Sequence, residues 1–317
     1  MPTNVKENGF ESSIVSWLVQ HNGYEQGSNA DYNKEIAMDE TRLFRFLNTT
    51  QADKMKQLRL ENDPLEKEKF LQRLDQSLHT NGVIDLLRKG FRYKHLVLDM
   101  FYVRPSPGNE TAAKLYAQNI FSVTRQLQYS RQNPLLALDV CLFLNGLPIA
   151  TMELKNQLTK QNAADAVKQY KDERTPDEVL FGFKRCIVHF AVDDNEVRMC
   201  TELKGQKSWF LPFNKGYNDG AGNPPNPDGI KTDYLWKEIL RKDDFSNIIE
   251  NYVQIICDED EETHKKSYKQ IFPRYHQLQL VTSLLADAKR DGVGKRYLIQ
   301  HSAGSGKSNS IAWLAHQ

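Results

Sequence analysis

One stretch constrains this chain more than any other: residues 135–157, LLALDVCLFLNGLPIATMELKNQ. Two apolar runs flank Asn145-Gly146, a strong short-range signal for a β-hairpin. Three charges interrupt those runs, Asp139 in the first and Glu153 and Lys155 in the second. An unpaired buried charge costs several kcal/mol or neutralises itself, so strands this apolar keep charges only where something is gained. Glu153 and Lys155 are two apart and share a strand face. Two carboxylates and an ammonium converging on one face make a site for a hard cation with a nearby water. The alternative is a surface hairpin whose charges face water, and the continuous apolar runs around them argue against it.

Convergence sets a condition on the turn. Paired residues of an antiparallel hairpin share a face. A two-residue Asn145-Gly146 loop pairs Leu144 with Leu147 and puts Asp139 on the wrong face. A three-residue loop, Leu144-Asn145-Gly146, pairs Phe143 with Leu147. Asp139 then lies opposite Thr151, with Glu153 as its diagonal neighbour. Gly146 suits the third, left-handed position of such a loop. The spacing predicts that loop, or a β-bulge with the same effect on parity.

Asp139, thirteen intervening residues, then Glu153-Leu154-Lys155 resembles the PD-(D/E)xK nuclease signature. The wording around it, LDVCLFLNGLPIATMELKN, resembles the nuclease domain of type I restriction enzyme R (motor) subunits, with Leu138 where the signature usually has proline. The resemblance implies a Mg²⁺-dependent endonuclease acting on duplex DNA. Asp139 and Glu153 would bind the metal, helped by the Leu154 carbonyl. Lys155 would orient or deprotonate the attacking water and offset charge in the transition state. The implied partners are modification (methyltransferase) and specificity subunits. S-adenosylmethionine would enter only through the modification subunit, and the target sequence would be read by the specificity subunit.

The same resemblance singles out residues near the hairpin. An acidic residue on the first helix of such nucleases often lies near the metal, which makes Glu11 an auxiliary candidate; a favourable interaction with the helix N-terminus is the alternative. RecB-like members carry Gln-x-x-x-Tyr on the helix after the hairpin. Here Tyr170 fits, but Ala166 stands four residues before it and Gln169 is adjacent. Gln169 and Tyr170 are candidates for supporting the site or contacting DNA, against a core tyrosine with a polar tip at the edge.

A chain of 317 residues suggests two domains or one large one. Its composition, 39% hydrophobic and 26% charged, is that of a soluble globular protein. A net charge of +1 excludes a strongly basic nucleic-acid binder on global charge, though not a local basic groove. The four cysteines form no C-x-x-C pair and no zinc spacing. No signal peptide opens the chain and no apolar run approaches a membrane span, so the cytoplasm is the default. Periodicity predicts helices over 10–21, 38–60, 64–79, 83–89 and 162–173, and two over 232–256. Strands are expected over 96–103, 117–129, the hairpin at 135–155, 185–194 and the following EVRMCTEL. Residues 211–230 read as an irregular loop. The expected fold is α/β (α+β), a central mixed sheet flanked by helices. The acidic run Asp258 to Glu262 suggests a boundary between a nuclease domain at 1–260 and a second segment at 261–317.

That last segment has its own signal. YLIQ at 297–300 reads as a buried strand, followed by HSAGSGKS and a helical run, which is the order of a phosphate-binding loop. Gly304, Ser305 and Gly306 would turn backbone amides toward phosphate, Lys307 would reach the β/γ phosphates and Ser308 would ligate Mg²⁺. His301 stands where the strict pattern wants Gly, and the loop is similar to that of superfamily-two helicase motors. Arg274-Tyr275-His276-Gln277 resembles their Arg-x-x-Gln adenine-reading motif. The resemblance implies ATP-driven translocation by a full-length subunit. The sequence stops ten residues after Lys307, so the expectation is an incomplete RecA-like segment. It should lack a preorganised phosphate site, strand 297–300 should have at best one neighbour, and the chain after about 265 should be the least ordered or most oddly packed part.

Overall fold

The computed structural model describes residues 7–156, 160–260, 263–292, 294–302 and 304–317. Among these, seven strands form one sheet, in the order β1 (Glu25–Gln26), β2 (Phe121–Gln128), β3 (Ala137–Leu144), β4 (Leu147–Leu154), β5 (Val188–Val192), β6 (Val197–Cys200) and β7 (Leu211–Pro212). The β1–β2 and β4–β5 pairs are parallel and the others antiparallel, so the sheet is mixed. The hairpin supplies its middle. All eight residues of β4 are buried, as the apolar run requires of a strand covered on both faces.

Helices cover the two faces unequally. The helices α1 (Glu7–Gln20), α2 (Glu40–Thr50), α3 (Ala52–Leu58), α4 (Pro64–Asn81) and α5 (Val83–Lys89) contribute to a large core that includes Leu142, Met152 and Leu154. On the other face α6 (Ala163–Glu173) sets Ala166 and Tyr170 among Cys141 and Phe143. Local chemistry explains the helix ends. Asp63 caps α4 by accepting from the Glu66 N–H, with Pro64 in the first turn. The segment 38–60 breaks at Gln51, whose carboxamide both donates to and accepts from the backbone of Asp99.

The hairpin turn corrects one expectation and meets its alternative. The loop has two residues, Asn145 (φ 51) and Gly146 (φ 83), both left-handed as a type I′ turn demands. Leu144 therefore pairs with Leu147 and Phe143 with Pro148, but Leu142 pairs with Ala150. Ile149 is the extra residue of a bulge, and from there on the parity is the one that lets Asp139 share a face with Glu153. Pro148 has no N–H to give a ladder, and the bulge beside it is where a central strand tolerates that. Asn145 is fully buried. Its side chain accepts from Ile120 N at 2.6 Å and donates to Met100 O and Asn119 Oδ1, each at 3.0 Å.

Other expectations are corrected. The strand at 96–103 shortens to Leu96–Leu98, paired with Phe91–Tyr93, and an unforeseen helix spans Glu110–Tyr116. Helical structure in 232–256 ends at Tyr252; Gln254–Glu259 instead pairs with Lys266–Ile271 in a two-stranded ribbon. The acidic run lies at the end of that ribbon, with Glu261 and Glu262 outside the described residues. No strand forms among the described residues at 294–302, where Leu298 is 97% exposed. The chain after 265 nonetheless packs against the rest. Phe272 stacks edge-on to Phe190, helix α7 (Tyr275–Asp291) buries Leu278 and Val281, and helix α8 (Lys307–Ala315) buries Trp313 beside Tyr252. Among the described residues no helix is long and apolar enough to cross a membrane.

Candidate active site

The site is built where β2 and β4 end and β3 begins. Asp139 is the third residue of β3 and Glu153 the seventh of β4. The pairing of Val140 with Met152, carried one step further, sets the two acids directly across from each other. Asp139 Oδ2 accepts from the Leu154 N–H at 2.8 Å, which fixes its carboxylate against β4. Glu153 is fully buried. Burial first, and the nearby Asp139 charge second, push its carboxyl up to about 8, with Arg174 and Lys155 pulling the other way. Lys155 follows β4 and is nearly buried, with its N–H bonded to Val192 O at 2.8 Å.

Glu153 divides its two oxygens. Oε1 accepts from Arg174 Nε at 2.6 Å, whereas Oε2 is buried with no hydrogen-bond partner. An orphaned carboxylate oxygen within the influence of a second carboxylate is what a cation would complete. All the donors in reach are hard oxygens, which suits Mg²⁺ and not a soft metal. Among the described residues no group of three or more His, Cys, Asp or Glu side chains converges, so side chains would supply two ligands and backbone or water the rest.

Glu11 reaches this region from α1, though not directly. Gln126 Nε2 donates to Glu11 Oε2 at 2.8 Å and to Asp139 Oδ1 at 3.2 Å, and Arg125 Nε holds Glu11 Oε1 at 2.8 Å. Burial raises the Glu11 carboxyl, with Gln126 and Arg125 opposing. Gln126 adopts φ 48 inside β2, an unfavourable conformation for a residue with a side chain. Its neighbours Arg125 and Leu127 keep regular pairing with β3. The left-handed backbone thus coincides with the residue that joins Glu11 to Asp139.

The remaining candidates separate. Tyr170 is fully buried. Its hydroxyl meets Thr151 Oγ1 at 2.8 Å, which in turn meets His189 Nδ1 at 2.7 Å. Burial pushes that imidazole down to about 3, so it is neutral. Gln169 Nε2 donates along the helix to Glu173 Oε2 at 3.4 Å. Arg174 and Gln126 escaped the sequence reading. Arg174 stands in the charge-rich KDERTPDE, where it reads as solvated, but it lies four residues after the buried Tyr170, just past the end of α6, a signal that could have found it.

In the Gly-rich loop Gly304 (φ 72) and Gly306 (φ 82) are left-handed, and α8 begins at Lys307. Ala303 lies outside the described residues. Gln277 Nε2 donates to Gly306 O at 2.9 Å and Ser305 O at 3.3 Å, and its Oε1 accepts from Arg274 N at 2.9 Å. A Cβ on Gly306 would lie 2.4 Å from that amide, so only glycine lets Gln277 approach. Lys307 Nζ donates to His301 O at 3.3 Å, and Ser308 is exposed. A cleft of about 320 Å³ opens beside the loop, lined by Trp209, Lys204, Lys207, Arg274 and Ser305 among others.

Residues 4–208 match the family described as type I restriction enzyme R protein N terminus. The chain belongs to that family. A relative from Methanocaldococcus jannaschii, provisionally named as the type I restriction enzyme MjaVIIIP endonuclease subunit, is 24% identical over 212 residues. That match covers 62% of this chain and only 18% of the relative's length. In this R-protein N-terminal region the hairpin acids, Lys155, Arg174 and Gln126 all fall inside the matched residues, and the Gly-rich loop falls outside them.

Proposed function

We propose that this chain carries the DNA-cleaving centre of a type I restriction enzyme R subunit, with Asp139 and Glu153 as ligands of a divalent cation. The observation that carries the reading is Glu153 Oε2, a buried carboxylate oxygen without a partner, on the strand face it shares with Asp139. When bound there, Mg²⁺ supplies positive charge to the scissile phosphate and acidifies a bound water. Asp139, fixed by the Leu154 N–H, and Glu153, fixed by Arg174, need little rearrangement to serve as ligands. Lys155, two residues beyond Glu153, orients the water or takes its proton, and offsets charge that develops on the phosphate oxygens. The substrate class is duplex DNA.

The same reading assigns Gly304 to Ser308 as the phosphate loop of an ATP-driven motor, with Arg274 and Gln277 at the adenine. Translocation by a longer subunit would precede cleavage, and modification and specificity subunits would be the partners. The two left-handed glycines ahead of α8 support the loop assignment. Thermal denaturation with increasing Mn²⁺ or Mg²⁺ tests the nuclease half. Wild-type chain should gain stability with metal, and Asp139→Ala should not. Equal stabilisation of both proteins would refute the assignment.

A further inference from the structure

Arg174 does more than neutralise Glu153. It follows the last residue of α6 and is 2% exposed. Three of its nitrogens are committed to three different strands or strand ends. Nε donates to Glu153 Oε1 on β4 at 2.6 Å, Nη2 to Ala137 O at the start of β3 at 2.9 Å, and Nη1 to the Tyr129 hydroxyl just beyond β2 at 2.9 Å. The guanidinium also lies over the Tyr129 ring, 5.2 Å from its centre, and Nη1 reaches Glu173 Oε2 at 3.4 Å. Ala137 is two residues before Asp139 and on the same side of β3. One planar group therefore ties the acid of one strand to the strand that carries the other acid.

We infer that Arg174 is a positioning residue for the metal centre: its fork occupies Glu153 Oε1, leaves Oε2 as the ligand, and sets the separation of Glu153 from Asp139. This rests on reading those two acids as metal ligands. The geometry needs a rigid fork. Arginine presents its donors in a plane that can serve three acceptors at fixed angles, whereas lysine is a point charge on a flexible stem and cannot hold Ala137 O, Tyr129 and Glu153 in one arrangement. Partners that orient metal ligands without touching the metal are worth about 10- to 100-fold in metal affinity.

The test is Mn²⁺ binding by calorimetry to the 317-residue chain, in wild type, Asp139→Ala, Arg174→Lys and Tyr129→Phe. Arg174→Lys keeps the charge and removes the fork, so Mn²⁺ affinity should fall about 10- to 100-fold. Tyr129→Phe removes one anchor and leaves the Glu153 contact, so affinity should fall by a few-fold in a somewhat less stable protein that still folds. That variant keeps the inference falsifiable if Arg174→Lys does not fold. A role in charge compensation alone predicts wild-type affinity in both variants, and that result overturns the inference. Wild-type binding that survives Asp139→Ala, or no wild-type binding, would instead sink the reading of the two acids as ligands, and this inference with it.

Discussion

Glu153→Gln should make the metal-free protein more stable, and by an amount that grows with pH. The Glu153 carboxyl is pushed from 4.5 up to about 8 by burial and by Asp139. Between those values the folded chain holds a proton that the unfolded chain has released. Stability therefore falls as pH rises through that window, by about 1.4 kcal/mol per pH unit and about 5 kcal/mol across it. Glutamine reproduces the shape of the protonated acid. Its amide oxygen can accept from Arg174 Nε where Oε1 does now, and it has no proton to lose. The variant should match wild type near pH 4.5 and exceed it by roughly 4 kcal/mol near pH 8. Urea denaturation followed by tryptophan fluorescence from pH 4.5 to 8.5 measures the difference directly, and comparison with wild type cancels the titration of Glu11. Saturating Mg²⁺ should flatten the wild-type slope and leave the variant unchanged. A gap between the two proteins that does not change with pH would mean that Glu153 does not titrate in this window, and the account of its burial would fail.

Lys155→Ala, assayed in the assembled restriction complex, should abolish DNA cleavage and leave ATP hydrolysis largely intact, because the two sites share no residue; parallel loss of both in a folded protein would refute that separation. At position 126, Gly should be more stable than Ala by about 1 kcal/mol, since both lose the bridge between Glu11 and Asp139 but only Ala retains the left-handed strain. The reverse order would show that the backbone there is not forced.

The hairpin was legible in the sequence because two strong local signals agreed, the Asn-Gly turn and the charges in apolar runs. Parity even showed that a plain two-residue loop could not serve, although it did not choose between a longer loop and a bulge. That choice depends on Asn145, whose side chain is anchored to Met100 and Asn119, far away in sequence. Tertiary contacts decided the other departures too. Strand 96–103 shortens where Gln51 captures the Asp99 backbone, an alternative partner that periodicity cannot see. The residues that organise the acids, Gln126 and Arg174, are hard to see in the sequence for a similar reason. Each is a common polar residue whose role exists only through partners on other strands.

The turn that makes the site also bears on how the protein ages. Asn-Gly is the dipeptide most prone to lose ammonia, because the glycine nitrogen can swing onto the asparagine side chain and close a ring. Here that swing is blocked. The Asn145 amide is held by two acceptors and its oxygen by a backbone donor, while the Gly146 carbonyl is tied to Asp39 N at 2.9 Å. The folded chain thus shields this amide, and the damage is expected in molecules that have opened. Isoaspartate at position 145 in a stored sample would then record the time its molecules have spent unfolded.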